Sequence, residues 1–113
     1  MRRSSQAEQQ SLRTAGFHAL ADPTRQAILQ TLAGERLHVD ELALRFPISR
    51  PAVSKHLRTL KNAHLVQQQN EGRRAYYSVN LDQLAALERW LADQRRVWQS
   101  SLTRLKRMLE KNG

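Results

Sequence analysis

The stretch from Val39 to Leu65, VDELALRFPISRPAVSKHLRTLKNAHL, constrains this chain more than any other. Pro47 lacks the backbone N–H that a helix interior needs, so the helical pattern must break there and restart. The spacing predicts a first short helix from Val39 to about Arg45, with Leu42 and Ala43 as its apolar contacts, then a turn at Phe46-Pro47-Ile48. A second helix comes next, with the Ser49 hydroxyl placed to cap it and Pro51 suited to its first turn. Val53, Leu57 and Leu60 recur at helical spacing and predict a buried stripe, while Arg50, Ser54, Lys55, Arg58 and Lys61 lie off it. Such a helix can fix itself to a domain by one side and present cations and hydroxyls to phosphates and base edges by the other. This is the pattern of a helix-turn-helix, the second helix being the recognition helix. The alternative is an ordinary surface helix with a solvated basic face.

The segment after the second helix, LVQQQNEGRRAYYSVN, weighs against that alternative. Val66, Tyr76, Tyr77 and Val79 suit strands, and Asn70-Glu71-Gly72 signals a hairpin turn in which Gly72 can take positive φ. Arg73 and Arg74 stand just past that turn. A hairpin with arginines at its tip, directly after a helix-turn-helix, reads as a wing able to reach the DNA backbone or minor groove. Its bland counterpart is a plain hairpin with solvated arginines.

Charge points the same way. The chain of 113 residues has 19 basic and 10 acidic side chains, a net charge of +9, and a pI of about 11.3, a balance that favours a polyanionic partner. The excess is uneven: residues 1–40 carry +1, residues 41–80 carry +5 and residues 81–113 carry +3. It therefore peaks on the helix pair and the hairpin. There is no cysteine, which excludes disulfides, thiolate metal sites and thiol switches and fits a cytoplasmic protein. No apolar run reaches membrane-spanning length, and MRRSSQAEQQSLR has no apolar secretory core.

Length predicts a single domain with a modest core, made of an N-terminal arm and helix (1–20), a winged-helix centre (21–80) and a C-terminal helix (81–113). Residues 1–6 are expected to fray. A helix is expected from Ala7 to Leu20, weakened by Gly16. Asp22 and Pro23 restart the chain as a cap and first helical residue, and Gly34 is expected just past that helix's end. Leu37-His38-Val39 can form a brief extended segment.

From Leu81 to about Lys111 the pattern is helical, with Leu84, Leu87, Leu91, Trp98, Leu102, Leu105 and Leu109 at 3-and-4 spacing, interrupted by Gln94. A bend is expected near Gln94 to Arg96. A domain this small cannot cover so long a stripe, so a second subunit is the expected partner, with Leu12, Leu91, Trp98, Leu102 and Leu105 in the seam. The alternative is a helix that folds back onto its own core.

Taken together, ALADPTRQAILQTL, ELALRFPISRPAVSKHLRTLKNAHLV and EGRRAYYSV resemble the ArsR/SmtB family of bacterial winged-helix repressors, over residues 17–80 in order and spacing. The resemblance implies a mainly α winged helix-turn-helix with a small β-hairpin and a long C-terminal helix. It also implies a homodimer, paired through its first and last helices, that represses by binding an inverted-repeat operator in double-stranded DNA. Carried over by position, the implied DNA contacts are Ser49, Arg50, Ser54, Lys55, His56 and Arg58 on the recognition helix or its cap, and Arg73 and Arg74 on the wing. His56 also has a local hydrogen-bonding reading.

Many members of that family sense metals through a Cys-x-Cys pair where this chain has His38-Val39-Asp40, and others through histidines on the last helix, which here has none. The resemblance is thus to metal-independent members, some of them autorepressors, and neither metal nor cofactor is expected. His38 and Asp40 alone are too few ligands for a closed site. His18 and His64 are expected to be structural. No phosphate loop, nucleophile–base pair or paired-carboxylate motif suggests an enzyme. Two competing readings are a DNA-packaging protein with little sequence choice and a winged helix used for protein contacts.

Overall fold

The computed structural model describes residues 5–111. Helix α1 runs from Gln6 to Leu20, α2 from Pro23 to Gly34, strand β1 from Leu37 to His38, α3 from Val39 to Ala43 and α4 from Arg50 to Asn62. Strands β2 (Val66–Glu71) and β3 (Arg74–Val79) come next, then α5 (Leu81–Lys111).

Local chemistry starts and stops these elements. Ser5 caps α1 through a reciprocal box: its hydroxyl accepts from the Glu8 N–H at 3.0 Å and its own N–H donates to Glu8 Oε2 at 3.4 Å. The expected fraying of residues 1–6 is therefore wrong for Ser5 and Gln6, and residues 1–4 lie outside the described part. Asp22 caps α2 by accepting from the Arg25 N–H at 2.9 Å. Gly34 is not past the end of α2 but in its last turn; the chain leaves through an extended Glu35, φ −163°. Ser49 caps α4 by accepting from the Ala52 N–H at 3.2 Å.

The far end of α4 is a Schellman motif. The Leu65 N–H donates to the Leu60 carbonyl at 3.0 Å and the His64 N–H to the Lys61 carbonyl at 2.9 Å. His64 takes the left-handed conformation, φ +60°, that glycine usually supplies, and Leu60 and Leu65 are fully buried on either side of it. Asn80 locks the same corner from the sheet side, its Nδ2 donating to the His64 carbonyl at 2.9 Å.

The hairpin is part of a three-stranded antiparallel sheet in the order β1-β3-β2. Leu37 pairs with Tyr77 and His38 with Tyr76. The β2–β3 pairing runs from Val66–Val79 out to Glu71–Arg74, so Asn70 and Glu71 belong to the strand. The connection is the two-residue turn Gly72-Arg73, with Gly72 at φ +60°.

Leu42, Val53, Leu57, Leu60, Leu65 and Ile28 are fully buried. The stripe predicted for the second helix of the pair thus meets α2, α3 and the base of the wing. Leu87 is 4% exposed and joins the start of α5 to this core. Phe17 and Trp90 extend the α1–α5 contact, ring centroids 5.5 Å apart, with the Arg13 guanidinium 4.8 Å above the Trp90 ring. Beyond that point α5 continues as one unbroken helix to Lys111.

Candidate nucleic-acid interface

The core stripe of α4 faces inward, so the opposite side of the helix is presented outward, with Arg50, Lys55 and Arg58 exposed and Ser54 half-buried. Ser49 is exposed but its hydroxyl is already engaged in capping. Arg73 occupies the wing turn and Arg74 opens β3, and both are exposed. Arg73 is therefore in the turn itself rather than past it. Asp40, Arg50, Arg73 and Arg74 line one recess with His38, so the fold brings the start of the recognition helix and the wing tip to the same place.

His56 stands apart from this group. It sits on the shoulder of α4, half-buried, with Nδ1 3.4 Å from the Arg25 Nη1. Arginine has no acceptor, so Nδ1 is the accepting atom in this contact. Two further bonds hold Arg25 in place: Nε donates to the Ala19 carbonyl at 2.7 Å and Nη2 to the His18 carbonyl at 3.2 Å. Arg25 thereby ties the end of α1, the start of α2 and the recognition helix together. Spacing and periodicity do not single it out, although Asp-Pro-Thr-Arg at a helix start offers a signal. Asp22 belongs to the same junction, where first its bond from the Arg25 N–H and then the Arg25 charge hold its carboxyl below the usual value of 3.8.

A second support sets the wing. Arg36 clamps Glu71 with both terminal nitrogens, at 2.7 and 3.0 Å, and stacks on Tyr76 at 4.4 Å. Glu71 is held below its ordinary pKa by this bond. A carboxylate close to the wing arginines is thus neutralised by a residue outside the wing. On the other flank Lys61 Nζ donates to Gln68 Oε1 at 2.8 Å and joins the end of α4 to β2.

His38 and Asp40, weighed above as metal ligands, are engaged otherwise. His38 Nε2 lies 3.1 Å from Glu41 Oε1, and Asp40 accepts from Arg50 Nε at 2.5 Å. Among the described residues no cluster of three or more His, Cys, Asp or Glu is arranged to hold a metal ion. Among them, too, no helix is long and apolar enough to cross a membrane.

The expected dimer residues fall on two helices. Leu12 on α1 is half-buried. On α5, Leu91, Trp98, Leu102 and Leu105 are 47%, 56%, 65% and 52% exposed, and Met108 and Leu109 prolong the same apolar face. Most of the predicted stripe therefore lies uncovered on the single chain, which rules out a helix folded back wholly onto its own core.

Residues 22–68 match the family model described as "Bacterial regulatory protein, arsR family". Over 86% of this chain and 88% of the relative, the sequence is 43% identical to the HTH-type transcriptional regulator Rv2034 of Mycobacterium tuberculosis. It is 37% identical to the transcriptional repressor SdpR of Bacillus subtilis over 66% of this chain and 83% of that one. The fold matches the homodimeric winged helix-turn-helix DNA-binding domain Mb0332 of Mycobacterium bovis with a TM-score of 0.65 and 30% identity, covering 83% of this chain and 92% of that one. A buried-stripe recognition helix, an arginine-tipped wing and these likenesses together make this chain a member of the ArsR family of bacterial regulatory proteins.

Proposed function

We propose that this protein is a homodimeric transcriptional repressor of the cytoplasm that binds an inverted-repeat operator and acts without a metal or cofactor. The observation that carries the reading is the convergence of Arg50 on the recognition helix with Arg73 and Arg74 of the wing around one recess. One protomer can then hold the backbone through the wing while the recognition helix enters the adjacent major groove. The relatives named as a repressor and as a homodimeric DNA-binding domain support the same reading. The long apolar face of α5 supplies a surface on which two protomers can join.

Ser49, Arg50, Ser54, Lys55 and Arg58 are the proposed recognition-helix contacts, with Arg73 and Arg74 on the backbone or minor groove. His56 supports the helix from behind through Arg25 rather than leading the readout. The test is selection of bound fragments from random DNA, then footprinting and a salt titration. A protected palindrome with affinity falling steeply in salt is expected. Uniform protection would turn the reading to a packaging protein, and a log–log salt slope near zero would remove the nucleic-acid reading.

A further inference from the structure

Arg50 is held at one edge only. Its Nε donates to Asp40 Oδ1 at 2.5 Å, and among the described residues its two terminal nitrogens make no hydrogen bond. Those two nitrogens form the fork that fits the O6 and N7 of guanine, or two oxygens of a phosphate. An unsupported arginine on a protein surface samples many rotamers, and ordering it on binding costs free energy. A carboxylate on the Nε edge removes part of that cost and leaves the fork open.

Asp40 is well placed for the task. It lies in the first turn of α3, two elements away from the wing, and is itself fixed by the short helix that begins at Val39. The groups facing it are Arg50 from α4, His38 from β1 and Arg74 from β3. Both Asp40 and Arg50 keep most of their side-chain surface open, 66% and 61% exposed, so the pair can meet DNA as a unit. Asp40 is also the lone carboxylate in a recess otherwise lined by Arg50, Arg73, Arg74, His38 and uncharged residues. There it opposes the attraction of any phosphate, whatever the sequence.

We infer that Asp40 is a specificity-determining positioning residue: it presets the Arg50 fork for one guanine in each half-site and weakens binding to DNA that lacks it. The inference rests on the operator-binding reading proposed above and adds a residue that does not itself touch a base.

The experiment compares the full-length wild type with Asp40→Ala, Asp40→Asn and Arg50→Ala variants and the Asp40→Ala/Arg50→Ala double variant, each by selection from random DNA and by affinity for a noncognate duplex. Arg50→Ala should lower preference at one base position per half-site by about ten-fold. Asp40→Ala should lower preference at that same position, and the double variant should lose no more than Arg50→Ala alone. Asp40→Asn keeps an oxygen for Nε and should retain part of the preference. Both Asp40 variants should bind the noncognate duplex more tightly, since each removes a negative charge from the recess. A second measurement needs no DNA: the Arg50 Nε–H resonance should exchange more slowly with solvent in wild type than in Asp40→Ala. Asp40→Ala with wild-type preference, or losses that add in the double variant, would overturn the inference while the wild-type palindrome still stands. A wild type that selects no sequence would overturn the operator reading and this inference with it.

Discussion

Gly16 of α1 and Leu87 of α5 approach so closely that a Cβ at position 16 would lie 2.9 Å from Leu87 Cδ1 and 3.1 Å from Cδ2. Leu87 is the buried residue through which α5 enters the core. From the sequence, Gly16 looks like a flaw in a helix; in the fold it is the gap that lets the first and last helices meet. Gly16→Val should lower the free energy of unfolding in urea by about 1–3 kcal/mol through overpacking. Gly16→Ala should lie nearer wild type, because its gain in helix propensity, about 1 kcal/mol, offsets a small displacement of the Leu87 methyls. A valine variant as stable as wild type would mean that the two helices do not meet here.

The division of α5 into an anchored first half and an uncovered second half gives a sharper truncation than removal of the whole helix. Cutting after Val79 would strip Leu87 and Trp90 from the core and confuse unfolding with dissociation. Cutting after Gln94 keeps both and removes Trp98, Leu102 and Leu105. That truncation, and Trp98→Asp in the full chain, should sediment as folded monomers. Both should bind a full palindrome little better than a half-site, a loss of about 10²-fold in effective concentration. Two recognition helices reading such a site lie about 34–36 Å apart, which only a linked pair can maintain. If both proteins remain dimers, the seam lies on α1 around Leu12.

The wing and the recognition helix should differ in kind. Arg73→Ala with Arg74→Ala should weaken binding evenly across sequences and flatten the log–log salt slope, as expected of backbone contacts. Arg58→Ala should instead relax preference at particular bases. Affinity profiles over single-base variants of the selected site provide the measurement. Profiles that shift uniformly for both sets would place the base contacts on other residues.

Acid should weaken the α1–α2 junction through Asp22. Its carboxyl is held below the ordinary value of 3.8, first by the bond from the Arg25 N–H. A group whose folded pKa is depressed stabilises the fold above its unfolded pKa, and that stabilisation is lost as pH falls through the folded value. Asp22→Ala should therefore lower the melting temperature at neutral pH, and the gap from wild type should narrow as pH drops below about 4. Thermal melts between pH 2 and 7 test this; a gap that stays constant across the range would mean that the charge of Asp22 contributes nothing to the cap.

The elements that short-range chemistry specifies were legible in the chain itself. Pro47 and Ser49 break and recap the helix pair, Val53, Leu57 and Leu60 mark its buried side, and Gly72 marks the hairpin turn. Each of these depends on neighbours within a turn or two, where spacing and side-chain type decide the outcome. The Ser5–Glu8 capping box was equally local and could have been read from Ser-x-x-Glu alone. Pairings between distant segments were not legible. That Arg25 reaches His56, that β1 adds to β3, that Arg36 neutralises Glu71 and that Gly16 admits Leu87 all join residues brought together only when the core closes. The same holds for Asp40 and Arg50. Ten positions separate them, and only the turn between α3 and α4 brings a carboxylate to the Nε edge of an arginine whose fork remains open.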